Sequence, residues 1–556
     1  MRRAFLILIL VAFCASAASA AGVLALHRSG QTFIWWMDAS SDAQSTYRVY
    51  RSDSPIADLS HAEVIADGIQ SASGNDFIAA RIATKEKRTE AARGFVIRPL
   101  GLPLPAGSGL YAHTVGKPGV SYYAVVAVSP DGKVNADALT TGLVAEKVAT
   151  PEPYLEKIQT LKSGKVARTY IHWSDKSIAY REGLPFKFVV TTGKDVKPGT
   201  PAPMVLAIHA YSGYATPSDG WGHEFVVVCP DDFTKGLPFD GYDWWYGYNS
   251  NLGGDLTKGV NTNYTERRLL YTMDFARRKC NIDPNRIYLR GSSMGGTGSV
   301  AFGLRHPEIF AAIFANVPQV NPAMDNIGWS QQNIEKYCGT RAEAVKTNEG
   351  INVWDRLNMM KYVQAHKDDF PFIRTINARD DQVLKWPQIP GFLKAMNDSR
   401  HGFISGWGLG MHNIQASQVP AVVKDFDIFK IRKNESFPAF SNSSLNDDPG
   451  SGDPKEGTIT GQMGGGFDWK ILADTTDAWE AEIKVIVEGK SEAMTDITPR
   501  RLQQLKPRAG QSYQWSCTDS TGGITQSGIV IPDQWGLVTL PRVKLTPSGS
   551  KIRISK

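Results

Sequence analysis

One five-residue segment, Gly291-Ser292-Ser293-Met294-Gly295, constrains this chain more than any other feature. It directly follows the strand-like residues 287–290 and directly precedes a helix start rich in small residues. A G-x-S-x-G sequence between a strand and a helix is typical of a sharp turn that exposes a serine hydroxyl, with glycines where the two elements come too close for a side chain. We therefore predict that Ser293 is a nucleophile. The alternative is a purely structural turn.

The surrounding sequence predicts an α/β domain. The chain has 556 residues, which is long enough for several domains. From about residue 155 to residue 432, strand-like runs alternate with helical spacing, as in a mainly parallel sheet with helices on both faces. Residues 203–208 are a continuous apolar run, as expected of a strand buried on both faces, and residues 266–280 have helical spacing.

Residues 200–415 resemble the α/β-hydrolase superfamily. Residues 283–288, the elbow at 293–296 and residues 305–311 are similar to the elbow region of secreted esterases grouped with polyhydroxybutyrate depolymerases, feruloyl esterases and acetyl xylan esterases. The loop His209-Ala210-Tyr211-Ser212-Gly213 resembles the His-Gly-Tyr-x-Gly oxyanion loop of carbohydrate deacetylases, with Ala210 in place of the usual glycine. The resemblance implies a serine esterase of the carbohydrate esterase kind, whose nucleophile, acid and histidine follow in that order.

A serine hydroxyl needs an imidazole to take its proton and a carboxylate to orient that imidazole. Of the histidines after Ser293, His401 and His412 come late enough, and we favour His412 because it follows a glycine-rich loop that can reach over the sheet. Asp380 and Asp381 follow the strand-like residues 372–376. The resemblance favours Asp380 over Asp381, because related serine hydrolases usually use the first Asp of an Asp-Asp-x-Val pattern.

The negative charge that develops on the substrate oxygen needs two N–H donors. We predict that the backbone N–H of Met294, at the start of the helix after the elbow, is one donor. The resemblance implies that the second comes from Tyr211, in the loop after the strand at 203–208. We expect His209 to hold this loop in place rather than to act chemically.

The regions on either side of the α/β domain read as strands. Residues 21–150 contain runs rich in aromatic and β-branched residues and resemble a fibronectin type III-like β-sandwich, with a polar insertion at residues 73–106. Residues 437–465 are rich in Ser, Asp, Gly and Pro and predict a linker or long loops. The rest of residues 437–556 predicts a C-terminal β-rich domain, a second β-sandwich. The predicted fold class is thus an α/β-hydrolase catalytic domain flanked by two β-sandwich domains.

The first twenty residues indicate export. Two arginines, an apolar run and the small-residue ending Ala18-Ser19-Ala20 are typical of a secretory signal peptide, residues 1–20. The apolar run is too short for a bilayer, which needs about 20 residues, and no later stretch is long enough. We therefore expect a secreted or periplasmic protein with no membrane span.

Four cysteines, Cys229, Cys280, Cys338 and Cys517, follow the predicted cleavage site. They are too few for a disulfide framework in a chain of this length. One bridge, with Cys280 and Cys338 as the leading pair, and four buried thiols are both compatible with the sequence.

The substrate is the least constrained part of the sequence prediction. Trp244, Trp245 and Trp407 are candidate substrate-binding residues, because aromatic faces stack on sugar rings and aromatic acyl groups; the alternative is a hydrophobic core. The formal charge of +6 is small and dispersed, so we expect no nucleic-acid partner. Metal and nucleotide motifs are absent from the sequence, so we expect no cofactor and no metal.

We therefore expect an enzyme that removes acetyl, methyl or feruloyl groups from an ester-decorated polysaccharide or oligosaccharide. The alternatives are a serine peptidase of the oligopeptidase type, a polyester depolymerase and a non-catalytic carbohydrate-binding protein.

Overall fold

The computed structural model describes residues 22–37, 45–135, 138–235, 240–328 and 330–556. The chain divides into two compact units, Met1–Glu152 and Pro153–Lys556. The predicted signal peptide lies outside the described residues. Within the described ranges, no helix is long and apolar enough to cross a membrane.

The first unit consists mainly of two antiparallel sheets, with strand orders β1-β2-β5 and β4-β3-β6-β7, and β8 pairs with β6. Trp36, Tyr47 and Tyr123 are buried in its core, so these aromatic side chains serve packing. The predicted insertion contains a short helix, α1. The elements are β1 Val23–Arg28, β2 Gln31–Met37, β3 Thr46–Ser52, β4 Glu63–Gln70, α1 Phe77–Lys85, β5 Ser108–Thr114, β6 Gly119–Val128, β7 Leu139–Thr140 and β8 Val144–Glu146.

The second unit begins with an alternation of strands and helices. In its first half these are β9 Tyr154–Thr160, β10 Val166–Trp173, β11 Pro185–Thr192, β12 Ala202–Ile208, β13 Val226–Pro230, β14 Phe233–Thr234, β15 Gly241–Tyr242, β16 Tyr248–Asn249, β17 Asn261–Thr262, α2 Tyr264–Lys279, β18 Ile282–Ser292, α3 Met294–Arg305 and β19 Ala312–Asn316. They continue as α4 Ser330–Cys338, α5 Val353–Arg356, α6 Met359–Ala365, β20 Phe372–Ala378, α7 Gln388–Asp398, β21 Phe403–Gly408 and α8 Ala421–Lys424.

A ten-stranded sheet forms the centre of this unit, in the order β23-β21-β20-β19-β18-β12-β13-β11-β10-β9, where β23 is Gly461–Met463. Strands β13, β12, β18, β19, β20 and β21 are parallel, and the strands outside them are antiparallel. The chain runs from β12 outwards to β13 and then returns to the other side of β12 as β18. The sheet therefore has its topological switch point between β12 and β18, where open α/β sheets bind their ligands.

The two faces of this sheet carry separate hydrophobic layers, because successive side chains of a strand point to opposite faces. Met204 and Leu206 of β12 pack into the layer that contains α2, α3 and α7. Val205 packs into the opposite layer, which contains α8 and the short turn of helix at Ile428–Lys430. The predicted buried strand at residues 203–208 and the helix at 266–280 are both present.

The C-terminal strands form two further sheets around one core, in the orders β22-β26-β29 and β24-β25-β30-β27-β28. The prediction of a linker or long loops at residues 437–465 is wrong in part, because this segment contributes β22 and also β23, the edge strand of the central sheet. The strands are β22 Phe437–Ser441, β24 Phe467–Asp474, β25 Ala478–Val485, β26 Ala493–Arg500, β27 Tyr513–Asp519, β28 Ile524–Val530, β29 Leu540–Leu545 and β30 Ser550–Ser555.

Buried arginines join the C-terminal sheets to the α/β part. Arg500 donates to the backbone carbonyls of Lys367 and Asp368 and pairs with the Asp369 carboxylate at 2.9 Å. Its neighbour Arg501 donates to the carbonyls of residues 307, 310 and 311. A buried guanidinium needs such acceptors, so these contacts hold the α/β part and the C-terminal sheets in a single unit.

The four cysteines of the described chain are free. Cys229, Cys338 and Cys517 are buried and Cys280 is half-buried. The structure therefore contradicts a bridge between Cys280 and Cys338. Burial raises the pKa of the Cys229 thiol to about 12, which leaves it an uncharged packing group.

Candidate active site

The predicted elbow is present at the carboxyl end of β18. Ser293 has φ 57° and ψ −123°, a left-handed conformation that is strained for a residue with a side chain. Its backbone N–H donates to the carbonyl of Asn316 at 3.0 Å, which ties the turn to the end of β19. A Cβ atom on Gly295 would lie 2.4 Å from the Ile208 carbonyl oxygen. Glycine is therefore required there for α3 to begin directly against β12.

Three side chains meet at this turn. Ser293 Oγ lies 2.7 Å from His412 Nε2, and His412 Nδ1 lies 2.7 Å from Asp381 Oδ2. Asp381 is buried, whereas the His412 side chain keeps 26% of its exposure and reaches solvent. This is the arrangement in which an imidazole can accept a serine proton while a carboxylate holds the ring and stabilises its charged form.

The choice of Asp380 over Asp381 is wrong. Asp381 faces His412, and its second oxygen, Oδ1, accepts the backbone N–H groups of Val383 and Leu384 at 2.7 and 2.9 Å. Asp380 is exposed and contributes a backbone N–H to the Gly410 carbonyl at 3.2 Å. Adjacent residues of a turn point in different directions, so only one of the two carboxylates can face inwards.

The preference for His412 over His401 agrees with the geometry. His401 is 1% exposed, stacks on Phe370 with ring centroids 4.3 Å apart, and bonds the His366 carbonyl through Nε2. Burial holds the pKa of His401 well below its usual range, so its ring stays neutral. His401 is therefore a core residue.

The two predicted N–H donors lie on segments that approach each other. Met294 is the first residue of α3, where a backbone N–H has no partner within the helix. A Cβ atom on Gly295 would lie 2.8 Å from the carbonyl oxygen of His209, so the loop after β12 passes directly against this helix start. Tyr211 lies in that loop, and its side chain is 37% exposed and packs on Tyr242. The structure thus brings the loop that carries Tyr211 to the elbow.

His209 holds this loop. Its Nδ1 lies 2.8 Å from the Ala210 carbonyl oxygen, and its Nε2 lies 3.0 Å from the backbone N of Asp232 and 3.3 Å from Asp231 Oδ1. With a proton on Nδ1, the ring donates to the Ala210 carbonyl and accepts the Asp232 N–H at Nε2. The Trp245 indole N–H also donates to the His209 carbonyl at 3.1 Å.

A buried pair of aspartates lies next to the contacts that hold the loop after β12. Asp232 and Asp243 are both buried, and the backbone N–H of Asp243 donates to Asp232 Oδ2 at 3.1 Å. Thr265 donates its hydroxyl to the Asp243 carboxylate, and Arg268 lies 3.6 Å from Asp232. Burial, together with the neighbouring Asp243 charge, raises the pKa of Asp232 well above its usual range. Two carboxylates this close in a buried site favour a shared proton.

The aromatic predictions are corrected in part. Trp245 and Trp407 are 1% and 0% exposed, so the structure contradicts a direct role in substrate contact. Trp407 packs on Trp386 and donates its indole N–H to the Thr458 carbonyl at 2.8 Å. Trp244 is 5% exposed and lines a cavity of about 20 Å³ beside α3, which is enough for about one water molecule.

Two exposed apolar side chains that the sequence prediction missed lie close to His412 along the chain. Leu409 and Met411, on the loop that carries His412, are 54% and 62% exposed. Exposed apolar side chains beside a reactive group indicate a surface for an apolar part of a ligand. In the sequence, the feature that indicated these two residues was their position in the glycine-rich loop before His412.

Arg379, the residue before the two aspartates, is a second missed feature. Its guanidinium is 1% exposed and donates to the backbone carbonyls of Pro454 and Thr458 at 3.0 and 2.5 Å and to that of Glu456. Its backbone N–H donates to the Gly408 carbonyl at 3.1 Å. The segment that follows β22 therefore anchors the loop that carries Asp381.

The described residues contain no group of three or more His, Cys, Asp or Glu side chains placed to hold a metal ion.

Known proteins match the part of the chain that contains the elbow. The Esterase family model matches residues 258–376, which include Ser293 but neither Asp381 nor His412. S-formylglutathione hydrolase of Rattus norvegicus is 30% identical over 124 residues, which cover 21% of this chain and 43% of that protein. Poly(3-hydroxyalkanoate) depolymerase C of Paucimonas lemoignei is 27% identical over 127 residues, covering 21% of this chain and 28% of that protein.

Among solved structures, an S-formylglutathione hydrolase from Agrobacterium tumefaciens is similar, with 19% identity and a TM-score of 0.38, covering 47% of this chain and 92% of that one. For the rat relative, the match with this chain spans less than half of that protein's length. The parallel sheet with its elbow is the arrangement of an α/β-hydrolase fold, and the part of the chain that contains the elbow is similar to esterases.

The two adjacent aspartates allow a matched test of the geometry. Asp381→Asn removes the charge that faces His412, so we expect kcat on p-nitrophenyl acetate to fall by about 10⁴-fold, as for the acid of other triads. Asp380→Asn changes an exposed side chain and should leave kcat within about threefold. Steady-state kinetics of the two variants show which aspartate acts with His412. Equal losses, or a larger loss in Asp380→Asn, would refute the assignment of Asp381.

Arg379 is testable as a positioning residue. Arg379→Met frees the Asp381 loop, and we expect kcat to fall by roughly 10- to 100-fold with little change in KM. Arg500→Met is the matched control, because it also removes a buried guanidinium that bonds backbone carbonyls but lies away from the Asp381 loop. Both variants should have a lower melting temperature, and only Arg379→Met should lose kcat at a temperature where both are folded. Equal kcat in the two variants would contradict this role.

Proposed function

We propose that this protein is a serine carboxylic ester hydrolase that acts through an acyl-enzyme intermediate. The observation that carries the proposal is the unbroken series of contacts from Asp381 through His412 to Ser293. The match of residues 258–376 to the Esterase family supports it. Ester hydrolysis through an acyl-enzyme needs a nucleophile, a base and N–H donors for an oxyanion, and the residues at the elbow can supply all three.

In the first step, Ser293 Oγ attacks the acyl carbon while His412 Nε2 takes the hydroxyl proton. The carbonyl π electrons move to oxygen, and the backbone N–H groups of Met294 and Tyr211 stabilise the resulting oxyanion. When the oxyanion collapses, the bond to the alcohol oxygen breaks and His412 gives that oxygen its proton. Asp381 stays ionised throughout and stabilises the imidazolium.

In the second step, water replaces the alcohol. His412 takes a proton from the water as its oxygen attacks the acyl carbon, and a second oxyanion forms at the same donors. Collapse of this intermediate breaks the bond to Ser293 Oγ, which receives the proton from His412. The products are an alcohol and a carboxylic acid, and the enzyme returns to its starting state.

We propose an ester-decorated polysaccharide or oligosaccharide as the substrate, with an acetyl, methyl or feruloyl ester. The similarity of the elbow and of the loop at 209–213 to carbohydrate-active esterases supports this choice. Tyr211, Leu409 and Met411 are exposed, largely apolar side chains on the loop after β12 and on the loop that carries His412. In this proposal the protein acts outside the cytoplasm, the first unit is a fibronectin type III-like spacer or binding module, and the C-terminal sheets form a β-sandwich.

A polyester depolymerase is the second candidate. The relative from Paucimonas lemoignei is a poly(3-hydroxyalkanoate) depolymerase, and a polyester chain would also suit the exposed Leu409 and Met411. The two candidates differ in the alcohol part of the ester, which is a sugar in one and a hydroxyacid in the other.

One substrate panel separates these candidates. The mature protein is incubated with acetylated xylan, methyl-esterified pectin, methyl ferulate, poly(3-hydroxybutyrate) and a p-nitroanilide peptide, and released acid or chromophore is measured. Release from a glycan ester or from methyl ferulate supports the first candidate, and release from the polyester alone supports the second. Amide cleavage alone would indicate a peptidase, and no release from any substrate would indicate a binding protein.

Two neighbouring serines supply the control for this panel. Ser293→Ala should lower kcat on the active substrate by about 10⁴- to 10⁶-fold, because the nucleophile is lost. Ser292→Ala, at an exposed position next to it, should keep most of the activity. If Ser293→Ala retained wild-type turnover, the proposed mechanism would be wrong.

A further inference from the structure

A second recess lies on the face of the central sheet opposite α3. It has a volume of about 360 Å³ and lies between the sheet and the segment after α8. Arg290 and Arg374 of the sheet line it together with aromatic side chains, among them Trp221, Phe314 and Phe426. None of Ser293, His412 and Asp381 is part of its wall. The recess is thus separate from the proposed active site.

The two arginines stand in one row across the sheet. Arg290 of β18 pairs in register with Phe314 of β19, and Phe314 pairs with Arg374 of β20. Arg290 and Arg374 are therefore two strand spacings apart, about 10 Å at the backbone. Both guanidinium groups lie over the Phe314 ring, at 5.6 and 4.5 Å from its centroid. The sheet register thus directs two positive charges to opposite sides of one aromatic ring.

The two guanidinium groups make few polar contacts with the described chain, and one of them is buried. The exposed Arg290 side chain makes no hydrogen bond or ion pair with any described residue; its guanidinium lies over the rings of Phe314 and Trp221. Arg374 is 8% exposed, donates once to the Lys424 carbonyl at 3.0 Å, and has a buried Nε without a partner in the described chain. A buried charged donor without an acceptor is costly, and this cost applies to Arg374. An anion in the recess would supply the missing acceptors.

Nearby acidic groups do not neutralise the pair. Asp427 lines the recess, and its carboxylate accepts the backbone N–H of Phe429 at 2.9 Å. Asp425 acts on Arg374 only at a distance and lies 3.6 Å from the ammonium of Lys424. Burial lowers the pKa of Arg374 to about 10, and Arg290 adds to this effect, so Arg374 stays charged at neutral pH. The wall of the recess contains two arginines and one aspartate, so its formal charge is positive.

The geometry points to a binding site for a small aromatic carboxylate, which we propose for this recess. A carboxylate can accept two parallel N–H bonds from one guanidinium, and this fork geometry is what arginine supplies. The ring of the ligand would pack among Trp221, Phe314 and Phe426, where arginines and aromatic faces already alternate. The volume, the charge and the aromatic wall together favour this ligand over a bare inorganic anion. The proposal does not depend on the proposed esterase activity.

The test uses 4-fluorobenzoate as the probe and follows its ¹⁹F NMR signal as the full-length mature protein is titrated in. We expect saturable binding with a Kd below about 10 mM, a weak affinity suited to so small a ligand. The neutral analogue 4-fluorobenzyl alcohol should show no saturable binding in this range. Inorganic phosphate should compete poorly, because it lacks a ring. Binding of the alcohol with equal affinity, full competition by phosphate, or no binding of the benzoate would each overturn the proposal.

Two variants locate the probe. Arg290→Met changes a solvent-exposed side chain, so it should fold normally and weaken binding by roughly tenfold or more. Arg374→Met should weaken binding similarly, and circular dichroism checks its folding because the residue is buried. Arg277→Met, on the exposed surface of α2, is the matched control and should bind as the wild type does. Unchanged binding in Arg290→Met would overturn the proposal.

A third variant separates this site from the active site. Ser293→Ala should bind 4-fluorobenzoate with unchanged affinity, because Ser293 is not in the recess wall. Loss of binding in this variant would place the probe at the elbow and overturn the proposal. An absence of ester hydrolysis in the wild type would refute the proposed function and leave these binding measurements unaffected.

Discussion

The close approach of α3 to the carboxyl ends of β12 and β18 is the constraint on which the site depends. It requires glycine at position 295 and forces Ser293 into a left-handed conformation that normally disfavours a side chain. The strain is held by the bond from the Ser293 N–H to the Asn316 carbonyl and by the parallel pairing of β12, β18 and β19. As a result, the serine hydroxyl lies at the topological switch point of the sheet, directly beside the N-terminus of α3.

The remaining groups of the site depend on the C-terminal part of the chain. Arg379 fixes the Asp381 loop to residues 454–458, and Trp407 bonds the same segment. The strand at Gly461–Met463 then pairs with β21, directly before the loop that carries His412. The acid and the histidine are thus held by chain that follows both of them in sequence. This accounts for a single compact unit where the sequence predicts a catalytic domain and a separate C-terminal domain.

The sequence predicted those features that local patterns determine. The elbow, the buried strand β12, helix α2 and the choice of His412 follow from glycine placement, apolar runs and the order of residues along the chain. Which of Asp380 and Asp381 faces inwards depends on the backbone course of one turn. The two residues are identical neighbours, so the sequence pattern does not distinguish them. The burial of Trp245 and Trp407 depends on distant partners, Gly298 and the segment at 458–461, which no local pattern reveals. The two arginines of the second recess become neighbours only through the register of three strands.

The central claim is that Ser293 carries the acyl group during turnover. The most direct measurement is rapid acid quenching of the protein during p-nitrophenyl acetate hydrolysis, followed by mass spectrometry of its peptides. The account predicts one acetyl group on each chain, attached to Ser293. In the Asp381→Asn variant, this acetyl group should form before steady state no faster than it does in the wild type. Acetyl groups found only on other residues, or turnover with no acetylated peptide in either protein, would contradict it.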